Sequence, residues 1–312
     1  MMNLIVQTLT ITAPVFVMLF VGAAIRRLGW IDAAFISTAS SLVFRGTMPV
    51  LLFLSLLKAD LSQLKLELVL YFALATLGAF FLAWAWAIYR CPREDRGVYV
   101  QGTFRGNNGI IGLALSSTLY GDYGMSLGGV LAAVAILLYN SLSAMILAFY
   151  STEVKASPRS ILLSIAQNPL IIGVLAGVPF AYWQIGLPDW LLVSAESFAH
   201  MTLPLALICI GGSLSLNALR AERDLALSAT WMKVACLPLI TTLGAVLYGF
   251  RGADLGVLFL NFASPTAAAS FVMAQAIRAN YELAAAIIVL TTLAAALTMN
   301  IGILVLQAIG WA

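Results

Sequence analysis

Long apolar runs separated by short polar ones dominate the chain. A helix that crosses a bilayer needs about 20 mostly apolar residues. Ten stretches reach that length: 4–25, 35–57, 66–89, 97–119, 124–149, 161–182, 191–216, 225–248, 253–277 and 283–309. Each is too long for a barrel strand, and the two-residue alternation of such strands is absent. The connections are short, and none could house a soluble domain. The pattern therefore predicts an all-α integral membrane protein with ten transmembrane helices.

Composition agrees. Hydrophobic residues make up 62% of the 312 positions and charged residues only 9%, against about 25% charged in soluble proteins. That excludes a soluble enzyme and a disordered chain. The net charge of +3 is too small to imply a polyanion, so no nucleic-acid partner is expected. Cys91 lies beside charged loop residues, while Cys209 and Cys236 lie in apolar runs, and they read as small apolar side chains. With one histidine, His200, they give no metal-ligand spacing, so neither metal nor cofactor is expected.

The few charges carry the orientation. Odd-numbered loops hold ten Lys and Arg residues (Arg26, Arg27, Arg90, Arg93, Arg96, Lys155, Arg159, Arg220, Arg223, Arg278); even-numbered loops hold three, Lys58, Lys65 and Arg251. The positive-inside rule makes the odd loops cytoplasmic and puts both termini outside, in the inner (plasma) membrane of the cell. The first stretch has its basic residues after the apolar run, the reverse of a signal peptide, and reads as a retained helix.

A repeat at a spacing of 155 residues divides the chain. Pro14 matches Pro169, Gly22 matches Gly177, Thr47-Met48-Pro49 matches Thr202-Leu203-Pro204, Arg96-Gly97 matches Arg251-Gly252, and Phe104 matches Phe259. The halves are residues 1–150 and 161–312, joined by a short cytoplasmic linker at 151–160. Each holds five spans, an odd number, so the second enters the membrane with opposite polarity. Such inverted repeats build many secondary transporters, with the substrate near the midplane between them.

Spans four and nine occupy corresponding places and both contain helix breakers. Span four reads Phe104-Arg105-Gly106-Asn107-Asn108-Gly109-Ile110-Ile111-Gly112, and span nine reads Asn261-Phe262-Ala263-Ser264-Pro265-Thr266. Glycine and asparagine are poor helix formers, and Pro265 removes a donor. Irregular backbone survives at membrane depth only where protein or a water-filled cavity satisfies it. Matched interruptions are the best sequence pointer to a transporter site. The bland reading is that glycine and proline only permit close helix packing. Pro14, Pro169 and Pro238 read as ordinary kinks.

Arg45, Arg105 and Lys233 fall inside spans. A centred basic residue costs about 2.5–3.5 kcal/mol on insertion scales, and no Asp or Glu lies deep in a span beside them. Glu196 is the one acidic residue set in from the loops and span edges, in the outer part of span seven, one turn before His200, which is the counterpart of Arg45 in the repeat. Cations without acidic partners suggest a path for an anion. Arg105, beside the glycine break, is the foremost candidate; Arg45 admits both a functional and a snorkelling reading. Lys233 reads first as a side chain that snorkels or bonds backbone carbonyls. It stays in the candidate set with His200, Pro49 and Pro204. Asn107, Asn108, Gly109, Asn261, Ser264, Pro265 and Thr266 complete that set. The missing buried carboxylates disfavour cation exchange, and no nucleophile–base pair supports an enzyme.

These residues resemble the auxin efflux carrier family in its bacterial malonate- and malate-type branch. The likeness rests on Asn107-Asn108-Gly109-Ile110-Ile111-Gly112-Leu113-Ala114-Leu115, on Ala263-Ser264-Pro265-Thr266-Ala267, and on Thr47-Met48-Pro49 with its leucines. Ala114 stands where the family usually has proline. The resemblance implies that spans four and nine cross as broken helices. It implies a transport domain of spans 3–5 and 8–10, and a scaffold of spans 1–2 and 6–7 that forms a homodimer contact. It further implies that Asn107 or Asn108 binds an organic anion, moved by an elevator-like displacement. The short 151–160 loop favours a small carboxylate over auxin. The expected function is secondary transport of that anion. Rival readings are a sodium-coupled symporter of the bile-acid type and a non-transporting membrane receptor or regulator.

Overall fold

A computed structural model describes residues 14, 17–57, 65–151, 163, 166–213, 220 and 222–312. Most of the first predicted span, and the linker 151–160 except Ser151, lie outside the described residues. Helix is the regular structure throughout those residues, joined by one isolated β-bridge, Gly106 to Thr266.

The helices run in order as α1 (17–27), α2 (Ala33–Leu42), α3 (Met48–Leu57), α4 (Leu66–Arg90), α5 (Arg96–Phe104), α6 (Leu113–Tyr150), α7 (Pro169–Trp183), α8 (Asp189–His200), α9 (Thr202–Ser213), α10 (Arg223–Trp231), α11 (Leu237–Tyr248), α12 (Gly252–Ala263), α13 (Ala269–Ala276) and α14 (Tyr281–Ala308). Several starts have a local cause. Asp32 accepts the Phe35 amide at 2.7 Å, Asn168 accepts that of Leu170 at 2.9 Å, and Asn280 accepts that of Leu283 at 2.9 Å. These are N-caps that satisfy otherwise orphaned donors.

Helices α2–α3 and α10–α11 are each continuous through a wide π-helical turn, Val43–Thr47 and Met232–Cys236. Proline explains both. Pro49 and Pro238 each sit one turn past the middle of such a segment, where the ring would clash with the carbonyl four residues back. Widening the turn relieves that clash without ending the helix. Within α6, Gly121 takes φ 59°, ψ −140° and breaks the helical path, a left-handed conformation that glycine tolerates.

Among the described residues, six segments are long and apolar enough to cross a membrane: Ala33–Leu54, Leu66–Arg90, Asn108–Tyr150, Asp189–Ser213, Arg223–Tyr248 and Tyr281–Ala308. Two shorter apolar helices, α7 and α12, accompany them. Large apolar side chains such as Leu70, Leu74, Phe81, Leu243, Leu247, Leu297 and Ile301 stand exposed. A water-facing protein would not carry so many; lipid solvates them.

Helix pairs approach through small residues, as membrane helices do. A Cβ on Gly22 would strike the Ile208 backbone, one on Gly211 the Leu19 backbone, and one on Gly173 the Pro49 backbone. These contacts bind α1 to α9 and α3 to α7. Elsewhere Phe80 meets Phe104 at 5.1 Å, Phe104 meets Tyr139 at 5.6 Å, and Phe72 meets Phe262 at 5.1 Å. This aromatic group pins the ends of α5 and α12 against α4 and α6.

Polar clusters tie the connections together. Lys65 reaches Asp254 at 3.0 Å and the Tyr123 hydroxyl at 2.6 Å, and Tyr123 also bonds Asp254. Both bonds hold the Lys65 ammonium above its ordinary value. Elsewhere the Asn280 amide donates to Asp95 at 2.9 Å and to Glu222 at 3.0 Å. Cys91, at the end of α4, is buried, and burial with the nearby Asp95 pushes its thiol up to about 12.

Replacing Gly211 by alanine should lower the midpoint of thermal unfolding of the detergent-purified protein, a loss of about 1–3 kcal/mol from overpacking. Gly129→Ala, where a Cβ meets nothing within 4 Å, serves as the control and should be near neutral.

Candidate functional site

The two interruptions meet. Helix α5 ends at Phe104, Arg105 is extended (φ −77°, ψ 118°), and a π-helical turn, Asn108–Gly112, leads into α6. Helix α12 ends at Ala263, Ser264 is extended, and α13 starts at Ala269. Between these breaks the Asn107 amide donates to the Pro265 carbonyl at 2.8 Å, beside the Gly106–Thr266 bridge. Each unwound segment thus supplies partners for the other.

Side chains finish the junction. The Ser264 hydroxyl lies 2.9 Å from Asn108 Oδ1 and 3.0 Å from the Asn261 carbonyl, two acceptors for its one proton. Asn108 Nδ2 faces the Tyr139 hydroxyl at 3.5 Å. The Thr266 hydroxyl donates to the Gly102 carbonyl at 2.6 Å, and its amide donates to Thr291 Oγ1 at 3.1 Å. Gly106 has no room for a side chain: a Cβ would fall on Asn108 Oδ1 and come within 2.7 Å of Ser264 Oγ.

Two buried cations flank the junction on separate terms. Arg105 Nη2 donates to Asn140 Oδ1 at 2.9 Å, and Nη1 lies 2.9 Å from Met273 Sδ and 3.4 Å from Ser143 Oγ. These partners are neutral, so the charge is held but not cancelled; its Nε has no partner among the described residues. Lys233 lies in the Met232–Cys236 turn, and its ammonium points at the carbonyls of Phe104 and Phe262, each at 3.4 Å. Asn261 is fully buried; its amide donates to the Val257 carbonyl at 2.8 Å, its Oδ1 is unpartnered among the described residues, and it faces Gly112.

A cavity of about 160 Å³ opens beside the junction. One wall holds Arg105, Gly106, Asn107, Asn108, Gly109 and Ile110, together with Ala267, Ala268 and Ala269 at the start of α13. Tyr139 and Asn140 of α6 continue it. The facing wall is α3 and α9, through Met48, Leu51, Leu52, Thr202, Leu203 and Ala206. Polar groups therefore cluster on one side and apolar ones on the other.

Of the residues singled out in the sequence, Arg105, Asn107, Asn108, Gly109, Lys233, Asn261, Ser264, Pro265 and Thr266 come together here. Arg45 and His200 do not: both are exposed, Arg45 in the first wide turn and His200 at the end of α8. Pro49 and Pro204 lie on α3 and α9, behind the cavity's apolar wall, with Pro204 exposed. The sequence reading missed Tyr139, Asn140, Ser143 and Met273, which hold Arg105 and Asn108. A signal for the first three lies in Tyr139-Asn140-Ser141-Leu142-Ser143, a polar patch inside an apolar span; Met273 had none.

Comparison with known proteins supplies the identity. The model of the family described as membrane transport proteins matches residues 8–303. An uncharacterized transporter of Methanocaldococcus jannaschii is 23% identical over 311 residues, covering 95% of this chain and 96% of its own. An uncharacterized transporter of Methanothermobacter thermautotrophicus is 25% identical over 267 residues, covering 83% and 85%. The polar junction, the multi-pass apolar helices and a match across nearly the whole chain agree: this chain belongs to the membrane transport protein family, that of the auxin efflux carriers, and is a transport protein rather than an enzyme.

Proposed function

We propose that the chain is a secondary carrier of a small organic anion, a carboxylate of malonate or malate size, working by alternating access. One observation carries this reading. The cavity is lined by the N-terminal ends of both helices that follow the breaks and by Arg105, with no carboxylate among the described residues of its wall. Helix N-termini carry a partial positive charge and free N–H groups, so the polar wall favours an anion. The Arg105 guanidinium, held by neutral partners, keeps its charge and can take a carboxylate by charge-assisted hydrogen bonds. Asn107 and Asn108 orient the acid, Ser264 and Thr266 hold the backbone that shapes the site, and the apolar wall accepts the carbon skeleton.

The same reading takes ten spans in an inverted repeat of five and five. A helical run from Asn108 to Tyr150 would reach roughly 65 Å at 1.5 Å per residue, twice the hydrocarbon core; the Gly121 break supports two spans there. Loops two and four and the start of span nine, on the same side as loop eight, meet at Lys65, Tyr123 and Asp254. Loops three, seven and nine meet at Asp95, Glu222 and Asn280. Alternating faces of that kind support the topology read from the basic residues, with both termini outside the inner membrane. Met48 and Leu203, and Leu51 and Ala206, pairs separated by 155, line the cavity together, which supports the repeat. The division into a scaffold of spans 1–2 and 6–7, a homodimer contact, and an elevator of spans 3–5 and 8–10 places the cavity at their boundary.

Purified protein screened against carboxylates should show a specific rise in thermal midpoint, because a ligand that binds the native state stabilises it by mass action. Proteoliposomes should then accumulate that labelled acid. Sodium-dependent uptake would favour the bile-acid type of symport instead, and binding without counterflow would favour a receptor. Arg105→Gln keeps a hydrogen-bond donor and removes the charge; it should weaken the identified acid at least tenfold, about 1.4 kcal/mol or more. Full uptake by this variant would remove Arg105 from the mechanism. A double-mutant cycle of Asn108→Ala and Ser264→Ala should give a coupling of about 0.5–1.5 kcal/mol in stability, read from denaturation midpoints; additive losses would deny their hydrogen bond a role.

A further inference from the structure

Lys233 is fully buried, and among the described residues no carboxylate pairs with it. Its ammonium lies 3.4 Å from the carbonyls of Phe104 and Phe262, the last turns of α5 and α12. Those distances are long for hydrogen bonds, so the attraction is mainly that of a charge for two dipole ends. Helix C-termini carry a partial negative charge, and here two converge on one point. The wide turn before Pro238 carries the side chain to that point. A Cβ on Gly106 would come within 3.3 Å of Nζ, so the ammonium fills the space up to the facing backbone. It is absent from the cavity wall, where Arg105 stands.

In carriers built from broken helices, unwound carbonyls and half-helix C-termini are the groups that coordinate a coupling sodium ion. We infer that the Lys233 ammonium is a tethered substitute for such an ion, closing the junction from within so that the protein needs no alkali cation to hold it. Lys233 is then a positioning residue and not a contact of the transported anion. This rests on the carrier reading only for its consequence, transport without a sodium co-substrate; the cation's structural place stands on the geometry.

The test uses the full chain in detergent, at equal ionic strength in sodium, potassium or choline chloride. The wild-type thermal midpoint should be the same in all three. A specific rise in sodium overturns the inference by itself, whatever the variants do. Lys233→Ala removes three methylenes and the ammonium, which n-propylammonium replaces atom for atom. This variant should lose several degrees in choline and regain most of the loss with propylammonium or sodium, but not with tetramethylammonium. A folded variant with the wild-type midpoint in choline, or one restored equally by every salt, overturns the proposal. Lys233→Gln keeps the reach and a donor without the charge, and covers the case in which the alanine variant does not assemble. Wild-type stability of the glutamine variant in choline would show that the charge is not needed. No carboxylate enters these measurements, so their failure is separable from failure of the anion-carrier reading.

Discussion

Everything in this fold answers to one constraint: a peptide group inside a bilayer must find its hydrogen-bond partner in the protein. An unsatisfied one costs several kcal/mol. Two broken helices at membrane depth would be prohibitive singly, because each exposes donors on one side of its break and acceptors on the other. Here the breaks lie against each other. The Asn107 amide takes the Pro265 carbonyl, Thr266 takes the Gly102 carbonyl and a hydroxyl of α14, and Ser264 closes onto Asn108. The interruptions are affordable only as a pair, which is why the fold brings residues about 160 positions apart into contact.

Pairing the breaks sorts charge as well as hydrogen bonds. Two C-terminal ends face Lys233 on one side, and two N-terminal ends face the cavity on the other. The junction is therefore electrically polar, negative carbonyls capped by a buried ammonium and positive amides left for a ligand. Arg105 strengthens the second side without neutralising it, because Asn140, Ser143 and Met273 carry no charge. Opposite-sign partners would have made the residue a structural ion pair. Neutral ones hold its position while leaving its field in the cavity.

Much of this was legible in the chain. Apolar runs gave the helices, because lipid imposes length and composition together. Breakers at matched places located the junction, because glycine, asparagine and proline fail in helices for local reasons. Depth along a helix was less informative than it looked. Arg45, Arg105 and Lys233 read as comparably deep, yet only Arg105 and Lys233 are buried at the junction, while Arg45 and its repeat counterpart His200 are exposed. Which face of a helix a side chain occupies depends on the local turn, and the wide segments before Pro49 and Pro238 rotate the faces that follow. Met273 was hidden for a related reason: its partner Arg105 sits 168 residues away, and only packing brings the two together.

The two walls of the cavity differ in how they are built, and that difference bears on motion. Behind the apolar wall, α3 lies on α7 and α1 on α9 through glycine-to-backbone contacts, which leave no freedom to slide. The polar wall is held by hydrogen bonds within α5, α6, α12, α13 and α14. Between the walls, the facing groups are Met48, Leu51, Leu52, Leu203 and Ala206 on one side and Arg105, Asn107, Asn108, Tyr139 and Asn140, with alanines and isoleucines, on the other. Apolar side chains attract their neighbours without direction, unlike the hydrogen bonds that hold the polar wall. In the proposed carrier, polar groups gathered on one wall, against a wall backed by the tight α3–α7 and α1–α9 pairs, would let the site travel intact with its cargo.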